Sequence, residues 1–193
     1  PGASLYAASM FEINRRDEVV GTSVGFVKAL NWMAENKVKV VNLSIAGGDN
    51  TMVRDAAAQA RRHGMVLVAS VGNWGFSQGA AYPAGYEEVI AVTAVSNRRK
   101  IFRDANKGPY VDFAAPGVRI WTPTMPGVKP QSGTSLATPY VTVLAALQVA
   151  KGARADPSAL RIALRRGAID LGRRGRDDVF GWGLVASKPS CMQ

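Results

Sequence analysis

Met65-Val66-Leu67-Val68-Ala69-Ser70-Val71 is a run of apolar and small residues without polar–apolar alternation, preceded by Gly64 and closed by Gly72. A strand of that composition has no face for water, so it belongs inside a sheet covered on both sides, the setting of parallel sheets. Val38 to Ser44 is a β-branched run of the same kind upstream, and Val89 to Val95 is another downstream. Between the first two, Asp49 to Thr51 offer N-cap side chains for a helix reaching about Arg62, with Gly64 as its C′ residue. Ser23 to Asn36 reads as an amphipathic helix whose Val24, Val27, Leu30 and Met33 follow a spacing of three. Thr134 to Ala150 is an Ala- and Leu-rich helix, and Asp156-Pro157 opens a further one that Gly167 closes. Ala3 to Phe11 reads as a short strand. Strands alternating with helices predict an α/β fold of three layers, a mostly parallel sheet with helices on both faces. No linker, repeat or low-complexity stretch interrupts residues 1–193, which read as one domain.

Composition narrows the function classes. The chain has 193 residues and a net charge of +10, with one histidine and one cysteine, Cys191. An intramolecular disulfide is therefore excluded, as is any multi-histidine metal site, and His63 is the only imidazole. No apolar run approaches the roughly 18 residues of a membrane span. The basic pairs and triplets, among them Arg61-Arg62 and Arg98-Arg99-Lys100, are scattered and stand apart from Trp32, Trp74, Trp121 and Trp182. A nucleic-acid module gathers such residues into a stripe, so the pattern reads as a solvated arginine-rich surface, with no nucleic-acid partner expected. The acidic pairs Glu87-Glu88 and Asp177-Asp178 read as solvated surface too.

Parallel α/β sheets place ligands beyond the carboxyl ends of their strands. Three such ends are rich in glycine and small polar residues: Ser44 to Gly48, Ser70 to Gly75, and Ser132 to Ser135. Small residues there let a substrate backbone approach closely. Ser135 opens a long helix, where unpaired backbone N–H groups and the positive end of the helix dipole favour a developing oxyanion. An ordinary N-cap serine is the competing reading of Ser135.

Taken in order along the chain, these segments resemble the subtilisin-like serine proteases, the subtilases. Gly133-Thr134-Ser135-Leu136-Ala137-Thr138-Pro139 is similar to the family's nucleophile motif, and Ala69-Ser70-Val71-Gly72-Asn73 to its oxyanion motif. Val41 to Gly47 resembles the substrate strand, Tyr82-Pro83-Ala84 and Val89-Ile90-Ala91-Val92 the stretch between, Ala115-Pro116-Gly117 a turn before the serine, and Gly181-Trp182-Gly183-Leu184-Val185 the close. The resemblance implies a serine endopeptidase acting on polypeptides, with Ser135 as nucleophile and Asn73 as side-chain oxyanion donor beside the Ser135 N–H. It implies that Ser44, Ile45, Ala46 and Gly47, with Ala69, Ser70, Val71 and Gly72, wall the primary specificity pocket. It also implies that Gly21, Thr22 and Ser23 offer an edge to the extended substrate, a case of strand addition.

The family's Asp-(Thr/Ser)-Gly and His-Gly-Thr motifs, which supply the carboxylate and the base, have no counterpart in these residues. His63, in Arg61-Arg62-His63-Gly64, ends a surface helix, where a cationic residue suits the dipole. The chain is thus expected to be the C-terminal portion of a peptidase domain, inactive alone, its partner being an N-terminal segment that carries Asp and His. A catalytically dead peptide-binding protein is the alternative. Calcium is the one cofactor the resemblance leaves open, through backbone carbonyls of the segment Ala84 to Val89, with no side-chain metal site expected. Export from the cytoplasm is the expected localisation. Three departures bear on specificity and packing: Ala46 replaces a pocket glycine, Trp74 follows Asn73, and Tyr140-Val141-Thr142-Val143 replaces a stretch ending in glycine, where close helix approach is expected to change.

Overall fold

The computed structural model describes residues 2–75 and 79–186, so Cys191 lies outside the described residues. Its elements run β1 (Phe11–Ile13), β2 (Val19–Gly21), α1 (Ser23–Glu35), β3 (Val40–Leu43), α2 (Thr51–Arg62), β4 (Val66–Ser70) and β5 (Val89–Val95). They continue as β6 (Phe113–Pro116), β7 (Ile120–Pro123), β8 (Val128–Gln131), α3 (Thr134–Ala150), α4 (Pro157–Arg165), β9 (Ala168–Ile169) and β10 (Leu184–Val185). The central sheet has the order β3-β4-β5-β6-β10-β9, parallel throughout except for β9, which pairs antiparallel with β10.

Side-chain alternation along two fully buried strands requires a layer on each face. Leu67 and Ala69 of β4, with Val89 and Ala91 of β5, pack with Phe26 and Leu30 of α1 and Ala57 and Ala60 of α2. Val66, Val68, Ile90 and Val92 point the other way, onto Ala137, Val141 and Ala145 of α3 and Leu160 and Leu164 of α4. The three-layer α/β architecture expected from the sequence is the one found.

Local signals hold at the helix starts. Thr22 caps α1 by accepting from Gly25 N, Asn50 caps α2 by accepting from Val53 N, and Gly64 takes φ +70 beyond the end of α2. Asp156 accepts from the N–H groups of Ser158 and Ala159, with Pro157 opening α4.

The structure corrects three expectations. Residues 3–10 form no strand, and Leu5 is 94% exposed. These residues make no strand pairing, although Ala8 and Met10 line a cavity with Val41 to Ile45, and extended structure begins only at Phe11, in the β1–β2 hairpin. Ala115 and Pro116 are the end of β6 rather than a turn. Asp177 is not solvated: its Oδ1 accepts from Val179 N at 2.8 Å and Phe180 N at 2.7 Å, and its Oδ2 from Arg173 N at 2.9 Å, so it organises a buried turn. The exposed hairpin β7–β8 was not read from the sequence, because Pro123, Pro126 and Pro130 argue against strands that nonetheless pair with one another at an edge.

Asp156 gives a test of this local reading. Burial alone raises its carboxyl, but the Ala159 N–H, Arg61 and Arg154 outweigh that and hold it below the ordinary value of 3.8. A depressed carboxyl stabilises the fold above its unfolded pKa and loses that contribution as pH falls through the folded one. Asp156→Ala is expected to cost about 1 kcal/mol by loss of the cap. Urea unfolding should show wild type ahead of Asp156→Asn at neutral pH, with the gap shrinking on acidification below about pH 4.

Candidate active site

The first turn of a helix presents backbone N–H groups without acceptors inside the helix. α3 brings that end to the carboxyl rim of the sheet, with Ser135 in its first turn. The residue that caps it, Gly133, is extended and makes no side-chain cap bond. The cap comes instead from the far end of β4. Asn73 Oδ1 accepts from Thr134 N at 3.0 Å and from Thr134 Oγ1 at 2.9 Å. Thr134 is fully buried, so these bonds fix the orientation of the Asn73 amide. A Cβ placed on Gly133 would stand 3.5 Å from Asn73 Nδ2 and 3.9 Å from Ser135 N. The space beside Gly133 is thus bordered by two N–H donors and the positive end of α3, an arrangement that stabilises an oxyanion.

Ser135 is held from the other side by β3. Pro139 has no N–H, so the Ser135 carbonyl four residues earlier gets no helical donor. Ser44 Oγ donates to that carbonyl at 2.8 Å, and Ser135 Oγ donates to the Ser44 carbonyl at 3.3 Å. Asn42 Nδ2 in turn donates to Ser44 Oγ at 2.9 Å. Gly117 completes the seat. Its N–H reaches Val95 O, its carbonyl accepts from Gly133 N at 2.8 Å, and a Cβ there would lie 2.6 Å from Ala94 Cβ. Only glycine lets the end of β6 lie this close to the start of α3.

The segment that carries Asn73 is anchored beneath the rim. Tyr110 Oη donates to Val71 O at 3.1 Å, Asn106 N donates to Gly72 O at 3.1 Å, and Trp74 N donates to Asn106 Oδ1 at 2.8 Å. Burial pushes the Tyr110 phenol above its ordinary value.

Of the expected substrate residues, two groups share a cleft of about 640 Å³: Gly21, Thr22 and Ser23 from one wall, and Ser44, Ile45, Ala46 and Gly47 from another. Only Gly21 of the first group lies on a strand, since Thr22 caps α1 and Ser23 begins it. Ala69, Ser70 and Val71 are buried and support the wall from behind, Ser70 Oγ donating to Ile45 O at 3.1 Å. Gly72, at φ +92, lies against Ala81 and Asn106. Ala46 is half-buried in the cleft lining, and Trp74 is exposed beside Asn73. Of the departing stretch in α3, Tyr140 and Val143 are exposed, while Val141 is fully buried and Thr142 Oγ1 donates to Asn42 Oδ1 of β3 at 3.1 Å.

His63 is exposed at the end of α2, before β4, whereas Asn73 follows that strand. The five residues of β4 between them span roughly 16 Å. Among the described residues no acidic side chain or imidazole hydrogen-bonds Ser135 Oγ. No group of three or more His, Cys, Asp or Glu converges as a metal site among the described residues either. Of the Ala84 to Val89 carbonyls, those of Glu87 and Val89 accept from the Arg161 guanidinium, at 3.0 and 2.7 Å.

Four participants went unread in the sequence. Thr134 was visible as part of a motif but not as the partner of Asn73. Pro139 carried the signal for a freed carbonyl, whose donor Ser44 is 91 positions away. Asn42 and Asn106 had no local signal at all.

Comparison with known proteins matches residues 1–183 to the Subtilase family. The chain is 32% identical over 190 residues to the "Minor extracellular protease Epr" of Bacillus subtilis, covering 97% of this chain and 29% of that protein. It is 33% identical to "Subtilisin DY" of Bacillus licheniformis, covering 96% of this chain and 67% of that one. Among solved structures, "Sphericase" superposes with a TM-score of 0.78 at 25% identity, over 89% of this chain and 66% of that one.

The Asn73–Thr134 pair is testable by stability alone. Asn73→Ala leaves two donors of a buried threonine unpaired and is expected to cost about 1–3 kcal/mol in urea unfolding. Asn73→Asp keeps the acceptor at a helix N-terminus and should stay within about 1 kcal/mol of wild type.

Proposed function

The chain belongs to the subtilase family, and from that premise we propose that it is the part of a serine endopeptidase that carries the nucleophile and the oxyanion hole. One observation carries the proposal: Ser135 N and Asn73 Nδ2 border a single space, with the Asn73 amide oriented by Thr134. In the proposed reaction Ser135 Oγ bonds to the carbonyl carbon of the scissile peptide while a base takes its proton. The carbonyl oxygen, now an anion, accepts from Asn73 Nδ2 and Ser135 N. Collapse expels the amine with a proton, and water then hydrolyses the acyl ester on Ser135.

The base and its orienting carboxylate belong, in this proposal, to a segment outside these 193 residues that carries the family's His-Gly-Thr and Asp-(Thr/Ser)-Gly motifs. The position of His63 beyond the opposite end of β4 supports that assignment. The substrate is a polypeptide laid along the cleft between Gly21 and Ser44 to Gly47, where exposed strand ends favour backbone pairing. The extracellular character in the name of one relative supports a protein working outside the cytoplasm, and among the described residues no helix is long and apolar enough to cross a membrane.

Fluorophosphonate labelling of the full-length protein is the direct test. Labelling is expected and should vanish in Ser135→Ala; label retained in that variant, or absent from a full chain bearing both motifs, overturns the proposal. Asn73→Ala should lower kcat on a peptide substrate by about 10²–10³-fold. The 193 residues by themselves should show no appreciable proteolysis.

A further inference from the structure

Asn73 is presented from a segment with little stiffness of its own. Gly72 takes φ +92 and Gly75 φ +74, left-handed values that glycine reaches because its backbone is free. Trp74 is exposed, so its ring anchors the chain poorly. What fixes the segment is the loop between β5 and β6, which holds it at four points on either side of Asn73. Tyr110 Oη donates to Val71 O and Asn106 N to Gly72 O, both at 3.1 Å, while Trp74 N donates to Asn106 Oδ1 and Gly75 N to Asp104 O, both at 2.8 Å. Asn73 stands inside this bracket with its own side chain turned to Thr134. We propose that Asn106 is a positioning residue of the oxyanion hole: its amide oxygen, by holding Trp74 N, sets the backbone from which Asn73 Nδ2 meets the reacting carbonyl. This role rests on the endopeptidase reading of Ser135 and Asn73.

Asn106 grips both neighbours of Asn73, Gly72 through its backbone N–H and Trp74 through its side chain. The donor at Trp74 N demands an acceptor, which turns the Asn106 oxygen towards Trp74 and leaves its nitrogen against Gly72. That contact is tight: a Cβ on Gly72 would stand 3.0 Å from Asn106 Nδ2 and 3.2 Å from Ala81 Cβ. A shift of the Asn106 amide is therefore passed straight to the residue before Asn73. The loop itself does not yield, because Ala105 and Asn106 are fully buried and Phe102 N ties it to Ala94 O of β5 at 2.8 Å. Thr134 sets the direction of the Asn73 amide but not the place of its Cα, and that is left to the bracket. Oxyanion stabilisation needs its donors preorganised, and a misplacement of about 1 Å costs on the order of 10²-fold in rate.

The test uses the full-length protein on a peptide substrate, below the unfolding midpoint of each variant. Asn106→Ala is expected to lower kcat by about 10–100-fold, with KM within about threefold of wild type, because Asn106 does not line the substrate cleft. In an Asn73→Ala background there is no donor left to aim, so the same substitution should change kcat by less than about threefold. A general loosening of the structure would instead lower kcat by the same factor in both backgrounds. A kcat of Asn106→Ala equal to wild type overturns the proposal, as does an equal loss in the two backgrounds. Fluorophosphonate labelling separates this from the endopeptidase reading. Label that survives Ser135→Ala overturns that reading and the role of Asn106 with it, whereas Ser135-dependent label together with either of those kinetic results overturns the role of Asn106 alone. Should Asn106→Ala fail to fold, Asn106→Leu, which fills nearly the same volume without an acceptor, carries the same comparison and the same criteria.

Discussion

A sheet that offers water neither face is the constraint from which the site follows. β4 and β5 are buried on both sides along their whole length, so their polar and functional groups can appear only where the strands end. Because β3, β4, β5 and β6 run parallel, those ends lie on one rim, and α3 lies across the same strands with its N-terminus at that rim. Ser44, Asn73, Gly117 and Ser135 are distant in sequence and adjacent in space for this one reason.

At the rim the same polar groups serve structure and chemistry together. Ser135 is not the capping residue of α3. Gly133 holds that position, and Asn73 supplies the acceptor from another segment. The ordinary-cap reading of Ser135 is thereby removed, which leaves its hydroxyl bonded only weakly to the Ser44 carbonyl and open to other work. Pro139 makes the Ser135 carbonyl a demand that Ser44 meets. Asn73 divides its amide, with the oxygen committed to Thr134 and the nitrogen facing the space beside Gly133.

Asp112 shows a different way of handling a charge in the interior. A carboxylate at that depth is costly unless paired and hydrogen-bonded. Two guanidiniums and the Ala91 N–H meet it, drawing α4 and the loop around Arg176 onto β5 and β6. The carbonyls of Glu87 and Val89 that end up beside it share the same arginine.

The sequence by itself determined what depends on near neighbours. The buried strands were legible in the apolar runs around Val66 and Val89, the helices in periodicity and in the caps Asn50 and Asp156, and the nucleophile and oxyanion segments in their short motifs, because each of these signals is local. Only the tertiary structure decided what depends on contact at a distance: that Thr134 orients Asn73, that Ser44 answers the carbonyl freed by Pro139, that Asp177 is buried, and that Arg161 joins the Glu87 and Val89 carbonyls to Asp112. A strand for residues 3–10 failed for the same reason, since whether a run of suitable residues pairs is decided by contacts outside the run. Hydrogen bonds between residues tens of positions apart leave no pattern in either stretch alone, and geometry alone assigns them.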